Sequence, residues 1–121
     1  MKKILVVDDN RDILQVVEIV LEIRGYDVKT IWDGKEVIEA VKDYSPHVVL
    51  LDVLLGNISG ITICNELKSN SETKDLCIIM FSAHANQDNV LKLCPADGFL
   101  SKPFDIHNLV DTIEAEMGKC A

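Results

Sequence analysis

Polar side chains that could take part in chemistry stand at the ends of short apolar runs in this sequence. The clearest case is Asp52, which directly follows the apolar run 48–51. Such a run is typical of a strand buried on both faces of a parallel sheet. Ligands of these sheets bind beyond the carboxyl ends of the strands. Because other runs end in the same way, we expect one edge of the sheet to gather the following side chains: Asp8, Asp9, Asp52, Ser82 and Lys102.

Together these side chains would form an acidic cluster that also contains a lysine and a hydroxyl. Three carboxylates about 5 Å apart would repel by about 3 kcal/mol per pair at an effective dielectric of about 20. Such repulsion calls for a cation or for a raised carboxyl pKa. Lys102 supplies one positive charge, and the remaining charge deficit indicates a divalent cation. We expect Mg²⁺, which binds one or two carboxylates and keeps positions for water and phosphate oxygens. An edge of this composition is suited to receiving a phosphoryl group.

The elements that position these residues alternate between strand and helix, without an internal repeat or a linker. Alternation with short connections predicts an α/β fold, in which a parallel sheet is covered by helices on both faces through right-handed crossovers. Each predicted strand is followed by a helix, and Asn10 is a suitable N-cap for the first helix. The predicted strands are 4–7, 28–31, 47–52, 77–81 and 99–100.

Length and composition favour one globular domain, which we expect to be residues 1–121. The apolar runs are shorter than the 18 or so residues of a membrane span, and the amino-terminal Met-Lys-Lys leads into a strand instead of a secretory signal. We therefore expect a cytoplasmic protein that does not bind membranes. The net charge of −8, without a Lys/Arg cluster, argues against direct binding of nucleic acid.

The four cysteines form no Cys-x-x-Cys pair and no ligand pattern with the three histidines. The sequence therefore predicts neither a zinc site nor a redox motif. We expect Cys64 and Cys77, which lie among apolar residues, to be core thiols.

The motifs at the strand ends resemble those of the receiver domain of bacterial two-component response regulators, including its single-domain chemotaxis form. The resemblance consists of Asp8-Asp9 after the first strand, Asp52 after the third, Ser82-Ala83 after the fourth, and the run Phe99-Leu100-Ser101-Lys102-Pro103-Phe104 at the fifth. Each motif alone is weak, but their order is specific, and the resemblance covers essentially the whole chain. It implies a flavodoxin-like, doubly wound, five-stranded parallel sheet in the order 2-1-3-4-5.

The resemblance also implies a role for each matching residue. Asp52 would accept a phosphoryl group from the phosphohistidine of a sensor histidine kinase or histidine phosphotransfer protein, giving an acyl phosphate. Asp8 and Asp9 would hold Mg²⁺, with Asp9 the direct ligand, joined by an oxygen of Asp52 and the backbone carbonyl of Leu54. Lys102 would pair with a phosphoryl oxygen and offset its charge in the transition state.

Two further residues would transmit the phosphorylation signal. Ser82 would donate its hydroxyl to the phosphoryl group, and its movement would draw Phe99 inward. That change would alter the surface of the fourth helix, fifth strand and fifth helix, which a downstream effector domain or protein reads. The implied protein is a signalling switch that catalyses its own phosphorylation and dephosphorylation without being a conventional turnover enzyme. Without the other motifs, Ser82 could equally be a structural hydroxyl at a strand end, and Phe99 could equally be a residue that packs in the core.

The sequence departs from the family pattern after the third strand. Leu55-Gly56 stands where Met-Pro or a similar pair is common, so we expect a more mobile loop here. Leu54 and His84 lie where family members tune the lifetime of the phosphoryl group. Lys102-Pro103 would be trans by the general frequency of X-Pro bonds, whereas the resemblance implies cis.

Three other functions remain open at this point. A flavodoxin-like FMN carrier shares the fold but needs a hydroxyl- and glycine-rich loop after the first strand, where this chain has Asp8-Asp9-Asn10. A phosphomonoesterase with an aspartyl intermediate usually carries its nucleophile on the first strand, in a spaced acid pair. A receiver-like interaction module that is never phosphorylated would not require the complete set of acidic, hydroxyl and lysine residues.

Overall fold

A parallel sheet lies in the middle of the protein, in a computed structural model that describes residues 2–83 and 86–120. The elements in chain order are β1 (Lys3–Val7), α1 (Arg11–Ile23), β2 (Asp27–Ile31), α2 (Val37–Tyr44), β3 (Val48–Asp52), β4 (Leu54–Leu55), β5 (Ile58–Ser59), α3 (Gly60–Ser69), β6 (Cys77–Ser82), α4 (Gln87–Leu93), β7 (Gly98–Ser101) and α5 (Ile106–Cys120). A single 3-10 turn, Gly34–Glu36, precedes α2. The sheet order is β2-β1-β3-β6-β7, with all pairs parallel. The predicted flavodoxin-like fold is confirmed, because β6 and β7 are the predicted fourth and fifth strands.

The strands alternate their side chains between two apolar cores, as the two-residue period of a strand requires. Leu5 and Val7 of β1 pack with α2, α3 and α4 on one face, whereas Ile4 and Val6 pack with α1 and α5 on the other. The central strand β3 has no exposed side chain over 48–51, which confirms that it is buried on both faces. Cys64 and Cys77 are buried, as predicted.

Polar side chains cap the starts of α1 and α3. The side chain of Asn10 accepts hydrogen bonds from the backbone N–H groups of Asp12 and Ile13, which confirms its predicted place at the start of α1. The hydroxyl of Ser59 caps α3 in the same manner by accepting from Thr62. In the part of the chain that the structure describes, no helix is both long and apolar enough to cross a bilayer.

A two-stranded hairpin occupies the segment after β3, where the sequence predicts a loop. Leu54 pairs with Ser59, and Leu55 pairs with Ile58, in antiparallel register. Gly56 lies in the turn with a φ of 65°, a left-handed conformation that favours glycine. The segment therefore has regular structure, and Gly56 serves the turn between its strands.

Candidate functional site

An acidic cluster lies at the carboxyl ends of β1 and β3. Asp8, Asp9 and Asp52 each offer a carboxylate oxygen, and these oxygens all lie within 4.8 Å of one another. Asp8 and Asp52 are buried, whereas Asp9 is exposed. The cluster forms because β1 and β3 are parallel neighbours that place Val7 beside Leu51, so that the acids following them meet. The predicted convergence of these three residues is therefore present in the structure.

Lys102 joins the two buried carboxylates of the cluster. Its Nζ lies 2.7 Å from Oδ2 of Asp8 and 3.0 Å from Oδ2 of Asp52. The ammonium also lies 4.5 Å from the centroid of the Phe81 ring, which adds a cation–π contact from the residue before Ser82. The backbone N–H of Lys102 donates to the carbonyl of Ser82 at 2.9 Å. Lys102, which follows the edge strand β7, thus places its positive charge beside Asp8 and Asp52 at the ends of the inner strands.

The hairpin β4–β5 contributes backbone donors to the same cluster. The N–H of Leu54 donates to Oδ1 of Asp52 at 3.2 Å, and the N–H of Gly56 donates to Oδ2 of Asp9 at 3.1 Å. The side chain of Leu54 is exposed. The Leu55-Gly56 pair, which departs from the family pattern, therefore provides one of the contacts that hold Asp9.

Gly60 packs directly against the backbone of Asp52. Its N–H donates to the carbonyl of Val53 at 2.7 Å. A Cβ at this position would overlap the carbonyl oxygen of Asp52 and would lie 2.9 Å from the carbonyl carbon. Only a residue without a side chain allows the start of α3 to lie so close to the end of β3.

Ser82 and Phe99 occupy different positions relative to the cluster. Ser82 is buried at the end of β6, and it lies beside Ser101 of β7 in the register of the sheet. Phe99 pairs with Met80, is half-buried and packs against the core under α2, α3 and α4. The Lys102-Pro103 bond is cis, as the resemblance implied. His84 lies outside the described residues.

The charges of the cluster perturb one another's protonation. Burial raises the pKa of Asp8, and the nearby Asp52 raises it further, which outweighs the opposing effect of Lys102 and the N–H of Asn10. Burial alone would lower the pKa of Lys102, but its hydrogen bonds and charge interactions with Asp8 and Asp52 raise it overall. Lys102 is consequently charged, and the fold disfavours the ionised form of Asp8.

We expect Asp8→Asn to stabilise the protein without added metal, by about 0.5–2 kcal/mol at neutral pH. The asparagine keeps an oxygen that can accept from the N–H of Asn10, but it removes a buried negative charge beside Asp52. Lys102 retains Asp52 as its partner. Urea denaturation of both proteins in a chelator measures the difference.

The pH dependence provides an internal control for this prediction. Because the folded pKa of Asp8 is raised above 3.8, its contribution to stability is fully present below the unfolded pKa and is lost as the pH rises through the folded pKa. The advantage of Asp8→Asn should therefore shrink as the pH falls from neutrality towards 3.8. An advantage that is constant over this range would contradict a charge-based cause.

The sequence could not reveal several of these contacts. The apolar run around Phe81 predicts a core residue, yet its ring also contacts the ammonium of Lys102. Gly56 donates to the side chain of Asp9, and Gly60 packs against the backbone of Asp52. Both contacts join segments that are apart in the chain, so no local pattern marks these glycines. The close approach of Gly60 to the backbone of Asp52, at the end of β3, can be seen only in the tertiary structure.

The comparisons with known proteins agree with this fold. A sequence model of the response regulator receiver domain matches residues 4–114. The chemotaxis protein CheY4 of Vibrio cholerae is 29% identical, with a TM-score of 0.88, over 95% of this chain and 98% of that chain. A CheY-like receiver domain protein of Methanospirillum hungatei shares the fold with a TM-score of 0.90 at 23% identity, over 99% and 96% of the two chains. NtrX of Brucella abortus is 28% identical with a TM-score of 0.87, and the match covers 98% of this chain but 27% of NtrX.

Proposed function

Since the chain belongs to the family of response regulator receiver domains, we propose that it is a two-component signalling switch whose phosphoryl acceptor is Asp52. The observation that carries this proposal is the contact of Lys102 with Asp52 inside a cluster of three carboxylates. Receiver domains are signalling switches rather than conventional enzymes. The proposed donor is the phosphohistidine of a sensor histidine kinase or phosphotransfer protein, and the proposed location is the cytoplasm.

In the proposed reaction, a carboxylate oxygen of Asp52 forms a bond to phosphorus, and the bond from phosphorus to the donor imidazole nitrogen breaks. The imidazole leaves as a neutral group after taking up a proton, and Asp52 becomes an acyl phosphate. Asp52 suits this role because its side chain keeps 9% exposure, whereas that of Asp8 has none. Water reverses the modification by attacking the acyl phosphate.

Lys102 and Ser82 would act on the oxygens of the transferred group. Lys102 is charged and already touches Oδ2 of Asp52, so a short movement would bring its Nζ to a phosphoryl oxygen attached there. Ser82 ends the neighbouring strand, and its carbonyl accepts from the backbone of Lys102. A hydroxyl at this position would donate to a second phosphoryl oxygen.

The acidic cluster fits a magnesium ion. With every group ionised, three carboxylates and one ammonium leave a net charge of −2, and carboxylate oxygens are the ligands that Mg²⁺ prefers. The proposed ligands are Asp9, Asp8, Asp52 and the carbonyl of Leu54. When bound, Mg²⁺ would neutralise charge on the phosphoryl oxygens. Asp9 would exchange its hydrogen bond with Gly56 for the metal.

The proposed output is a change in the surface of α4, β7 and α5. Phe99 lies on β7, which contributes to this surface, and its side chain is half-buried. A half-buried ring can gain contacts by turning inward, which would couple movement of Ser82 to the surface. The proposed reader is a downstream effector domain or protein.

The FMN alternative is disfavoured by the backbone after β1. The N–H of Asp8 donates to the carbonyl of Ile31, and the N–H of Asn10 donates to Oδ1 of Asp8. These groups are therefore engaged in the fold, whereas a phosphate-binding loop needs N–H groups that point at the ligand.

The test of the proposed function is the mass of the intact protein after treatment with acetyl phosphate. We expect one phosphoryl group per chain when Mg²⁺ is present and none when it is removed by a chelator. Failure to gain a phosphoryl group with Mg²⁺ would contradict the proposal. Equal labelling in the chelator would leave the acceptor but contradict the metal requirement.

Mg²⁺ should also stabilise the folded protein. At ten times its dissociation constant it should add about 1.4 kcal/mol to the free energy of unfolding. For a chain of this size, that gain corresponds to a rise of about 4–6 °C in the thermal midpoint. Thermal unfolding with Mg²⁺ or chelator measures it, and Asp8→Asn should show a smaller rise. An unchanged midpoint at millimolar Mg²⁺ would argue against the site.

A further inference from the structure

A second cluster of ligand side chains lies at the opposite end of the sheet from Asp52. It consists of Cys77, Asp97 and Cys120, whose sulfur and oxygen atoms all lie within 4.8 Å of one another. Cys77 begins β6 and Ser82 ends it, so about 16 Å of extended strand separates this cluster from the acidic site. The two clusters are therefore independent.

The fold holds these ligands in place through contacts of its own. Oδ2 of Asp97 accepts from the backbone N–H of Ile78 and from Nζ of Lys68, both at 2.8 Å. Cys77 is buried, and its Sγ donates to the carbonyl of Glu116 at 3.6 Å. Cys120 follows Glu116 by four positions on α5, which places it on the same helix face. This helical spacing explains why the two thiols meet.

The donor set selects a particular class of ion. Two thiols and one carboxylate suit a thiophilic divalent cation such as Zn²⁺, whereas Mg²⁺ prefers oxygen ligands alone. Two sulfurs bound to one tetrahedral Zn²⁺ lie about 3.8 Å apart, which is within the limit seen for this cluster. Two thiolates, a carboxylate and Zn²⁺ sum to −1, and Lys68 beside Asp97 offsets that charge.

We propose that Cys77, Cys120 and Asp97 bind Zn²⁺ or a similar thiophilic cation, with water completing the coordination. Binding displaces the two thiol protons into solvent. The ion reaches the site from an adjoining cavity of about 430 Å³, whose lining includes Cys120, Met117, Asp75 and His47.

Titration with Co²⁺, a spectroscopic substitute for Zn²⁺, tests the proposal on the reduced protein. We expect near-ultraviolet thiolate-to-cobalt absorption that saturates at one equivalent, disappears when Zn²⁺ is added and persists in millimolar Mg²⁺. Cys120→Ser should abolish the absorption, and folding should survive because Cys120 is exposed. Cys94→Ser is the matched control, since Cys94 is also a free thiol but lies outside the cluster, and it should bind Co²⁺ like the wild type.

Two further variants separate the ligands from their surroundings. Asp97→Asn keeps an oxygen that can accept from Ile78 but loses the charge, so it should weaken Co²⁺ binding. Asp52→Asn should leave the titration unchanged, which distinguishes this site from the acidic one. Absence of the absorption in the wild type, or its survival in Cys120→Ser, overturns the proposal. Added peroxide that joins the two thiols in a disulfide removes two hydrogens from the mass of the chain. If this disulfide forms and the chain binds no metal after it is reduced again, the thiols act only as a disulfide pair, and the proposal is overturned.

Discussion

An Asp52→Asn variant is expected to gain no phosphoryl group from acetyl phosphate in Mg²⁺, under conditions where the wild type gains one. The amide of asparagine is a poor nucleophile, so no acyl phosphate can form at this position. The substitution is close to isosteric, and its oxygen can still accept from the N–H of Leu54. Intact mass measured over a time course gives the extent of labelling for both proteins.

The control for this variant must be an aspartate that lies away from the cluster. Asp43 is exposed on α2, so Asp43→Asn should be labelled like the wild type. Urea denaturation of Asp52→Asn should show a folded protein, because one repulsive carboxylate has been removed beside Asp8. Labelling of Asp52→Asn to the wild-type extent would show that the acceptor lies elsewhere.

Gly60→Ala should destabilise the protein by about 3 kcal/mol, the upper end of the usual cost of overpacking. The added Cβ would meet the backbone of Asp52 and Val53, not a flexible side chain. Relief requires that α3 move away from β3 or that the end of β3 shift, and either change breaks the hydrogen bond from Gly60 to Val53. Urea denaturation in a chelator measures the loss.

The expected effect of Gly60→Ala on labelling follows from the same contact. A shift of the Asp52 backbone moves its carboxylate relative to Lys102, so phosphorylation should slow even at temperatures where the variant is folded. Gly118→Ala is the matched control, because a Cβ there meets nothing within 4 Å and the position is in α5. It should leave labelling unchanged and stabilise the helix by up to about 1 kcal/mol. Equal stability of Gly60→Ala and wild type would refute the proposed close packing.

The sequence predicted the five sheet strands and the acidic cluster because both depend on patterns that are local in the chain. An apolar run followed by Asp52 marks a buried strand and its end, and parallel topology then brings the strand ends together. The same argument places Lys102 beside the acids, and its contacts with Asp8 and Asp52 are present.

What the sequence did not predict depends on contacts between distant segments. Strands β4 and β5 have only two residues each, which is too short for an alternating pattern to be recognised. The meeting of Cys77 with Cys120 depends on how α5 crosses the sheet, so Cys-x-x-Cys spacing could not reveal it. The hydrogen bond from the N–H of Gly56 to the carboxylate of Asp9 likewise joins two segments that are distant in the chain.

The contacts of Lys102 also bear on how the protein folds and opens. The lysine is 94 positions from Asp8 and 50 positions from Asp52, so these contacts close long loops and carry a high entropic cost. They should form late in folding, after β1, β3 and β6 have paired. Conversely, transient detachment of β7 and α5 would release the lysine and leave the two buried carboxylates without their shared cation. Hydrogen exchange of the β7 amides would report such openings. The strand β7 and the helix α5 form a separate unfolding unit only if the amides of the inner strands stay protected while those of β7 exchange.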